Sequence, residues 1–332
     1  MPTAAAAVGS MPGEDPREAA RTVFGELGES PHVPHLAPLP ARGPGADPVG
    51  RTACLLVDLP VDLQPAGWRF VDAPGRDAAR AAAFLRADLD ELAEAADGWA
   101  GPLALPVLGP WSLLAAVELS RGERSVADPG ARRDVLASLG EGVAGHVAEV
   151  RRLVPGARVV VHVEEPSIAA VLAGRLPTQS GYGTLRAVDR AEVRDGLRDV
   201  LSAVRAAGAE PVVRLSAEDA PWALVREAGA AGVALDVRGL GPAGWESVAA
   251  TVEDGLQLWA GVLPAGGEPP SVASLVDAVR VPWRRIGLPA TTLADVVVTP
   301  TAGLSGTDPA TVRPSFARLR EAAAALLEAS GD

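Results

Sequence analysis

Short apolar runs rich in valine, leucine and alanine alternate along this chain with longer, amphipathic, alanine-rich stretches. Such runs are typical of strands buried on both faces, and the stretches between them are typical of helices. Strands are predicted at 5–10, 53–59, 103–108, 158–163, 211–215, 232–237, 256–262 and 296–299. Helices are predicted at 77–96, 131–153, 187–207, 220–228, 271–279 and 312–329. The alternation predicts parallel strands with helical crossovers, and eight strands favour an α/β fold of the (β/α)₈ type, the TIM barrel.

The length of the chain fits one such barrel. A (β/α)₈ barrel typically needs about 250 residues, so we expect a single domain over residues 1–332. An open, doubly wound sheet is the main alternative, but no G-x-G-x-x-G motif follows the first predicted strand, which disfavours its dinucleotide-binding form. The segment 29–50 is rich in Pro, Gly and His and is predicted to be a long loop.

Charge and cysteine content narrow the possible partners. The chain has 42 acidic against 30 basic residues, a formal net charge of −12. This balance disfavours nucleic acid and anionic membrane surfaces as partners. The single cysteine, Cys54, lies in the predicted strand 53–59 and excludes both a disulfide within the chain and a thiolate zinc cage. With neither a signal-peptide pattern nor a membrane-length apolar run, we expect a cytoplasmic protein.

Polar residues stand at the C-terminal end of most predicted strands. In a closed barrel these ends meet at one mouth, where ligands bind. Each residue alone could be a helix cap or a turn former, but their recurrence predicts a shared pocket. In chain order they are Ser10, Asp58, Trp111, Glu164 with Glu165, Ser216, Asp236 and the run 299–301, with His162 and Arg214 just inside their strands.

The segment 159–166, Val-Val-Val-His-Val-Glu-Glu-Pro, places two adjacent carboxylates at the mouth of a strand. Successive strand residues point to opposite sides, so one carboxylate can face a central cavity and the other the surrounding shell. Buried charges are costly unless they are paired or bind something. A helix N-cap or a salt-bridged loop is the alternative interpretation.

Four short motifs, in the same order as the strands, resemble those of one family. They are Val-Gly-Ser at 8–10, Gly-Pro at 109–110, His-Val-Glu-Glu-Pro at 162–166 and Pro-Thr-Ala-Gly-Leu at 300–304. They are similar to Ile-Gly-Ser, Gly-Pro, Gln-Ile-Asp-Glu-Pro and Pro-Asp-Cys-Gly-Leu in the C-terminal catalytic barrel of cobalamin-independent methionine synthase. The chain resembles the short, single-barrel members of that family, within the broader uroporphyrinogen decarboxylase-like superfamily.

The resemblance implies methyl transfer from a methyl-folate, or another donor, to the sulfur of homocysteine. By this resemblance Gly9 and Ser10 hold the carboxylate of a homocysteine- or methionine-like substrate, and Glu164 holds its ammonium. A carboxylate suits an ammonium, and backbone N–H groups suit a carboxylate. Trp111 either stacks on a planar ligand such as a pterin or packs against the barrel rim.

The family's zinc ligands are not retained. The family binds zinc with His-x-Cys after the fifth strand, Glu on the sixth and Cys after the eighth. The matching residues here are Arg214, Ser216, Asp236 and Ala302. Arginine cannot ligate, serine is a poor zinc ligand and alanine has no donor atom, so no metal site is predicted although the family implies zinc as a cofactor.

Three hypotheses follow from this loss. In the first, the chain is a methyltransferase without zinc, in which Arg214, held by Asp236, provides the positive charge beside the thiolate and His162 is an acid–base group. In the second, the barrel binds an amino acid or a pterin-like ligand for other chemistry. In the third, it binds without catalysis, with Arg214 and Asp236 as a salt bridge and His162 as a core residue. The loop 174–183 is predicted to be a lid or an ordinary surface loop.

Overall fold

The computed structural model describes residues 1–331. Its strands are β1 Ala4–Ala5, β2 Val61–Gln64, β3 Gly67–Phe70, β4 Pro102–Leu108, β5 Arg158–Glu165, β6 Glu210–Leu215, β7 Gly232–Asp236, β8 Gln257–Leu263 and β9 Val297–Pro300. Its helices are α1 Pro16–Leu27, α2 Pro48–Ala53, α3 Arg76–Ala95, α4 Pro110–Ala116, α5 Pro129–Leu153, α6 Ile168–Ala173, α7 Arg190–Ala206, α8 Trp222–Glu227, α9 Pro242–Glu253, α10 Val272–Arg285 and α11 Pro309–Glu328.

Seven of the strands form one curled parallel sheet in the order β1-β9-β8-β7-β6-β5-β4. Strands β2 and β3 form a separate antiparallel hairpin. Helices follow most of the parallel strands and cover the outside of the sheet, as right-handed crossovers require. The predicted α/β barrel fold is confirmed.

The gap between β1 and β4 is bridged by the segment 33–36. The Val33 N–H donates to the Ala5 carbonyl at 2.9 Å, and the Leu36 N–H donates to the Ala104 carbonyl at 3.0 Å. The Ala104 N–H in turn donates to the Pro34 carbonyl at 2.9 Å. This short extended segment therefore takes the remaining strand position, inside a region that the sequence predicted to be a loop.

The strand predicted at 53–59 is wrong. Helix α2 runs to Ala53 and Cys54 caps its C-terminus. The side chain of Asp47 accepts from the N–H groups of Val49 and Gly50, and Pro48 occupies the first helical position. This N-cap and the proline start a helix directly before the apolar run, which overrides its strand propensity.

The barrel has an inner and an outer core, as the alternation of side chains along each strand requires. Many of the inner-core residues are small, and the large side chain of Trp259 packs among them. The outer core lies between the sheet and the helices and is rich in valine and leucine. The inner core comprises Ala4, Ala6, Val33, Ala104, Val160, Val212, Ala234, Trp259 and Val297.

None of the helices within residues 1–331 has both the length and the apolar character needed to cross a membrane.

Candidate functional site

Two adjoining pockets lie at the C-terminal ends of the strands, both lined by Glu164 and Arg214, and they are called here the small lobe and the large lobe of the cavity. The small lobe has a volume of about 90 Å³ and the large lobe about 320 Å³. The small lobe is otherwise lined by Gly9, Ser10, Pro38, Pro48, Arg51, Thr52, Pro106, Val107, Leu108 and Gly303. The large lobe is otherwise lined by Pro166, Leu215, Ser216, Ala217, Glu218, Asp236 and Thr301.

Glu164 and Arg214 are neighbours in the wall that the two lobes share. They are register partners on β5 and β6, and the Arg214 Nη1 lies 3.8 Å from the Glu164 Oε1. That distance is too long for a hydrogen bond, and the Arg214 Nη2 donates instead to the Thr301 carbonyl at 2.9 Å. The buried Oε1 of Glu164 has no hydrogen-bond partner within residues 1–331.

The environment of Glu164 disfavours its charge. Burial raises the pKa of its carboxyl, and the Arg214 guanidinium opposes that rise only in part. A cationic group bound in the cavity would supply both the missing hydrogen bond and the missing charge.

Gly9 and Ser10 line the small lobe close to Glu164, since a Cβ at Gly9 would lie 3.9 Å from the Glu164 Oε1. Gly9 has a φ of +66°, and a side chain here would meet the Gly303 Cα at 3.0 Å, so glycine is required. The Gly9 carbonyl accepts from the His35 Nε2 at 3.0 Å, and the Ser10 carbonyl accepts from the Leu304 N–H at 2.6 Å. These contacts fix the backbone after β1 beside the loop after β9.

Glu165 does not face the cavity. Its carboxylate accepts from the Trp111 N–H at 2.9 Å, the Ser112 N–H at 2.9 Å and the Ser112 hydroxyl at 2.7 Å. It thereby satisfies the first turn of α4, in the shell between sheet and helices. Burial raises its pKa to about 7 although these hydrogen bonds favour the charged form.

Trp111 does not line either lobe, and its prediction as a ligand contact is corrected. The side chain is fully buried, and its indole N–H donates to the Val193 carbonyl at 2.9 Å. Since it stands at the start of α4, its ring packs toward α7 in the helical layer. The rim-packing alternative describes it better.

His162 also lies outside both lobes. It is 1% exposed, and its ring packs edge-to-face against Trp259 with centroids 4.5 Å apart. Burial, with smaller contributions from Arg214 and His35, lowers its pKa to about 3. It is therefore neutral at physiological pH and belongs to the inner core, so the acid–base role predicted for it is corrected.

The predicted pairing of Arg214 with Asp236 is also wrong. The Asp236 Oδ1 accepts from the Arg238 N–H at 2.9 Å, the usual turn geometry for an aspartate at a strand end. Arg214 contacts Glu164 and Thr301 instead. Both Arg214 and Asp236 nonetheless line the large lobe.

The residues at the family's zinc positions do not fit zinc. Arg214 places a cation there, and Asp236 is engaged by backbone. Among residues 1–331, no group of three or more His, Cys, Asp and Glu side chains is arranged to hold a metal ion. The donor set at these positions lacks the N and S ligands that zinc prefers.

Arg51 is a charged cavity residue that the sequence did not reveal. It lines the small lobe from α2 and is 5% exposed. Its Nη1 pairs with Asp88 of α3. No motif marks it, because its position depends on the unexpected helix α2 and on a partner 37 residues away.

The loop 174–183 does not line either lobe. Pro177 pairs with Thr184 across its base, and the Gln179 N–H donates to the Glu123 carboxylate at 3.2 Å. Tyr182 at its tip is 99% exposed. Its role as a lid stays a prediction.

Comparison with solved structures supports the fold. The chain is similar to a B12-independent methionine synthase from Shewanella sp. W3-18-1 in complex with selenomethionine, with a TM-score of 0.63 and 10% identity over 99% of this chain and 98% of that one. It is also similar to a GH20 β-N-acetylhexosaminidase from Streptomyces coelicolor A3(2), with a TM-score of 0.50 and 17% identity over 99% of this chain and 69% of that one. No family model and no curated protein sequence matches the chain.

At such low identities these similarities concern the fold alone. They place the chain among α/β barrels of different chemistries. A barrel fold hosts many functions, so the fold by itself does not define the function.

Proposed function

We propose that the protein is a methionine synthase-like barrel that binds a small amino acid of the homocysteine or methionine type. The observation that carries this proposal is the unpartnered Glu164 Oε1 in the wall of a cavity that also contains Gly9 and Ser10. Glu164 receives the ligand's ammonium, and the backbone at Gly9 and Ser10 lies by its carboxylate. The motif resemblance and the fold of the selenomethionine-bound methionine synthase support the same ligand class.

The reaction we propose is methyl transfer to the ligand's sulfur without zinc. The sulfur lies in the large lobe, beside the Arg214 guanidinium. A free thiol has a pKa of about 8.5, and a nearby guanidinium lowers it by favouring the thiolate. The thiolate attacks the methyl carbon of a methyl-folate, the bond from that carbon to nitrogen breaks, and the nitrogen takes up the proton that the thiol lost.

A second candidate function, binding without catalysis, is favoured by one observation. Arg214 already donates to Thr301 and lies near Glu164. A guanidinium engaged in this way can fill the lobe and stabilise the loop after β9 without contacting a thiolate.

The proposal is tested with purified, metal-free protein. Homocysteine and methionine are titrated calorimetrically, and methionine formation from homocysteine and methyl-folate is then measured. We expect binding that falls at least about 10-fold in Glu164→Gln, since a charge-assisted hydrogen bond is lost, and turnover that is lost in Arg214→Gln. Binding without turnover would select the second candidate, and unchanged binding by Glu164→Gln would refute the amino-acid site.

The cytoplasmic location stays a prediction.

A further inference from the structure

Two buried arginines share one carboxylate beside the small lobe. Asp88, 4% exposed, pairs with Arg51, and its Oδ1 lies 2.8 Å from the Arg42 Nη2. Arg42 also stacks over the Phe84 ring at 4.7 Å. One carboxylate cannot neutralise two guanidinium groups, so this cluster carries an excess positive charge away from water.

The excess charge lies on the Arg51 side of the small lobe. Arg51 and Arg214 both line this lobe, and Glu164 is the one carboxylate among its lining residues. Arg214 also lines the large lobe, together with the carboxylates of Asp236 and Glu218, whereas Arg51 shares Asp88 with Arg42. A buried guanidinium without a full counter-charge is costly unless an anion binds.

Arg51 also has a side-chain donor without a protein partner. Its Nη2 is buried and has no hydrogen-bond partner among the described residues. Because Nη1 is held by Asp88, the planar guanidinium is fixed in orientation before any ligand arrives. The same lobe is lined by Glu164, whose Oε1 also has no hydrogen-bond partner among the described residues.

We propose that Arg51 binds the carboxylate of the ligand, with Asp88 holding its guanidinium in place. This assignment rests on the amino-acid site proposed above and narrows it to a zwitterion, with the ammonium at Glu164 and the carboxylate between Arg51 and the Gly9–Ser10 backbone. The small lobe, about 90 Å³, holds these two polar groups but not a whole side chain. The side chain of the amino acid then extends into the large lobe.

The test separates the two charges of the ligand. Wild-type protein and the Arg51→Gln, Arg51→Lys and Arg42→Gln variants are titrated calorimetrically with three probes. The probes are methionine, its desamino analogue, which keeps only the carboxylate, and the amine that decarboxylation of methionine leaves. Arg42→Gln is the matched control, because it breaks the same ion-pair cluster but does not line the cavity, and each single variant leaves Asp88 one arginine. Thermal melting of each variant checks that it is folded.

We expect Arg51→Gln to weaken methionine and its desamino analogue about 10- to 100-fold and to leave binding of the amine unchanged. Arg51→Lys recovers part of the loss, and Arg42→Gln changes binding less than about 3-fold, a difference of well under 1 kcal/mol. Equal losses for all three probes, equal losses in both glutamine variants, or no binding of either carboxylate by the wild type would overturn the assignment. If the desamino analogue depends on Arg51 while Glu164→Gln changes nothing, the Arg51 site stands and the ammonium site proposed above fails.

Discussion

At the scale of single residues, the adjacent carboxylates Glu164 and Glu165 have different roles, one in the cavity and one in the helical shell. Glu164 faces the cavity with an oxygen that lacks a partner. Glu165 faces the helical shell, where backbone and hydroxyl donors at the start of α4 surround it. The two side chains point in opposite directions because successive residues of a strand, here β5, face opposite sides of the sheet. A pair of carboxylates read from sequence is therefore one candidate ligand group and one structural cap.

Replacing Glu165 with alanine should cost roughly 2–4 kcal/mol of unfolding free energy, because two buried N–H groups and a hydroxyl lose their acceptor. Urea unfolding followed by circular dichroism measures the cost. Glu164→Gln is the neighbouring control and should change the unfolding free energy by no more than about 1 kcal/mol, since its ion pair is long. Equal destabilisation by the two variants would show that the two carboxylates are not divided in this way.

The stability of the protein should fall in acid partly because of His162. The pKa of His162 is about 3 in the folded chain, against an ordinary value of 6.5. Below pH 6.5 the imidazole therefore binds a proton in the unfolded chain but stays neutral in the folded chain. This contribution is present above pH 6.5 and is lost as pH falls toward 3.

Between pH 7 and pH 5 the wild type should lose about 2 kcal/mol more unfolding free energy than His162→Gln. Urea unfolding of both proteins at each pH gives the comparison. The wild type should likewise lose more unfolding free energy than His146→Gln over this pH range, since burial lowers the pKa of His146 to about 4. Parallel pH profiles for wild type and His162→Gln would contradict the buried, neutral histidine.

At the scale of elements, the barrel follows the sequence except at its second strand position. The apolar run 53–59 has strand composition, but the Asp47–Pro48 start signal makes its beginning a helix. The actual strand position, 33–36, contains Pro34 and spans only four residues, so no periodicity marks it. It is defined by long-range pairing with β1 and β4, which no local pattern reveals.

Hydrogen exchange distinguishes whether segment 33–36 or segment 53–59 belongs to the sheet. The amides of Val33 and Leu36 are bonded to the Ala5 and Ala104 carbonyls and should exchange as slowly as those of the barrel strands. Peptides covering 57–59 should exchange much faster, because that segment lies outside the sheet. Exchange followed by mass spectrometry gives both rates. Faster exchange at Val33 and Leu36 than at 57–59 would support the strand that the sequence predicted at 53–59.

At the scale of the whole molecule, the sequence predicted the barrel and the mouth at which polar residues gather. It placed Gly9, Ser10, Glu164, Arg214 and Asp236 near one another, and the structure brings all five to the two lobes. It missed Arg51 because the ion pair of Arg51 with Asp88 joins residues that lie 37 positions apart. Trp111 was misplaced because a motif does not tell which side of a helix a ring will occupy. His162 faces the barrel interior as Glu164 does, but it lies deeper, against Trp259.

Zinc should not bind at the strand ends with the affinity of a catalytic site. The Arg214 guanidinium occupies that region, and Asp236 is its one carboxylate at a family ligand position. Elemental analysis after zinc loading and dialysis should find well under one equivalent. One equivalent that is lost in Asp236→Ala but kept in Glu149→Ala, a surface control on α5, would contradict this.

The proposed ligand is a zwitterionic amino acid that occupies the small lobe with its side chain in the large lobe. Crystals of the complex with selenomethionine would locate it, because selenium gives an anomalous X-ray signal. We expect one strong peak in the large lobe, with the ammonium at Glu164 and the carboxylate at Arg51. Selenium bound elsewhere, or a cavity that stays without the ligand at saturating concentration, would contradict it.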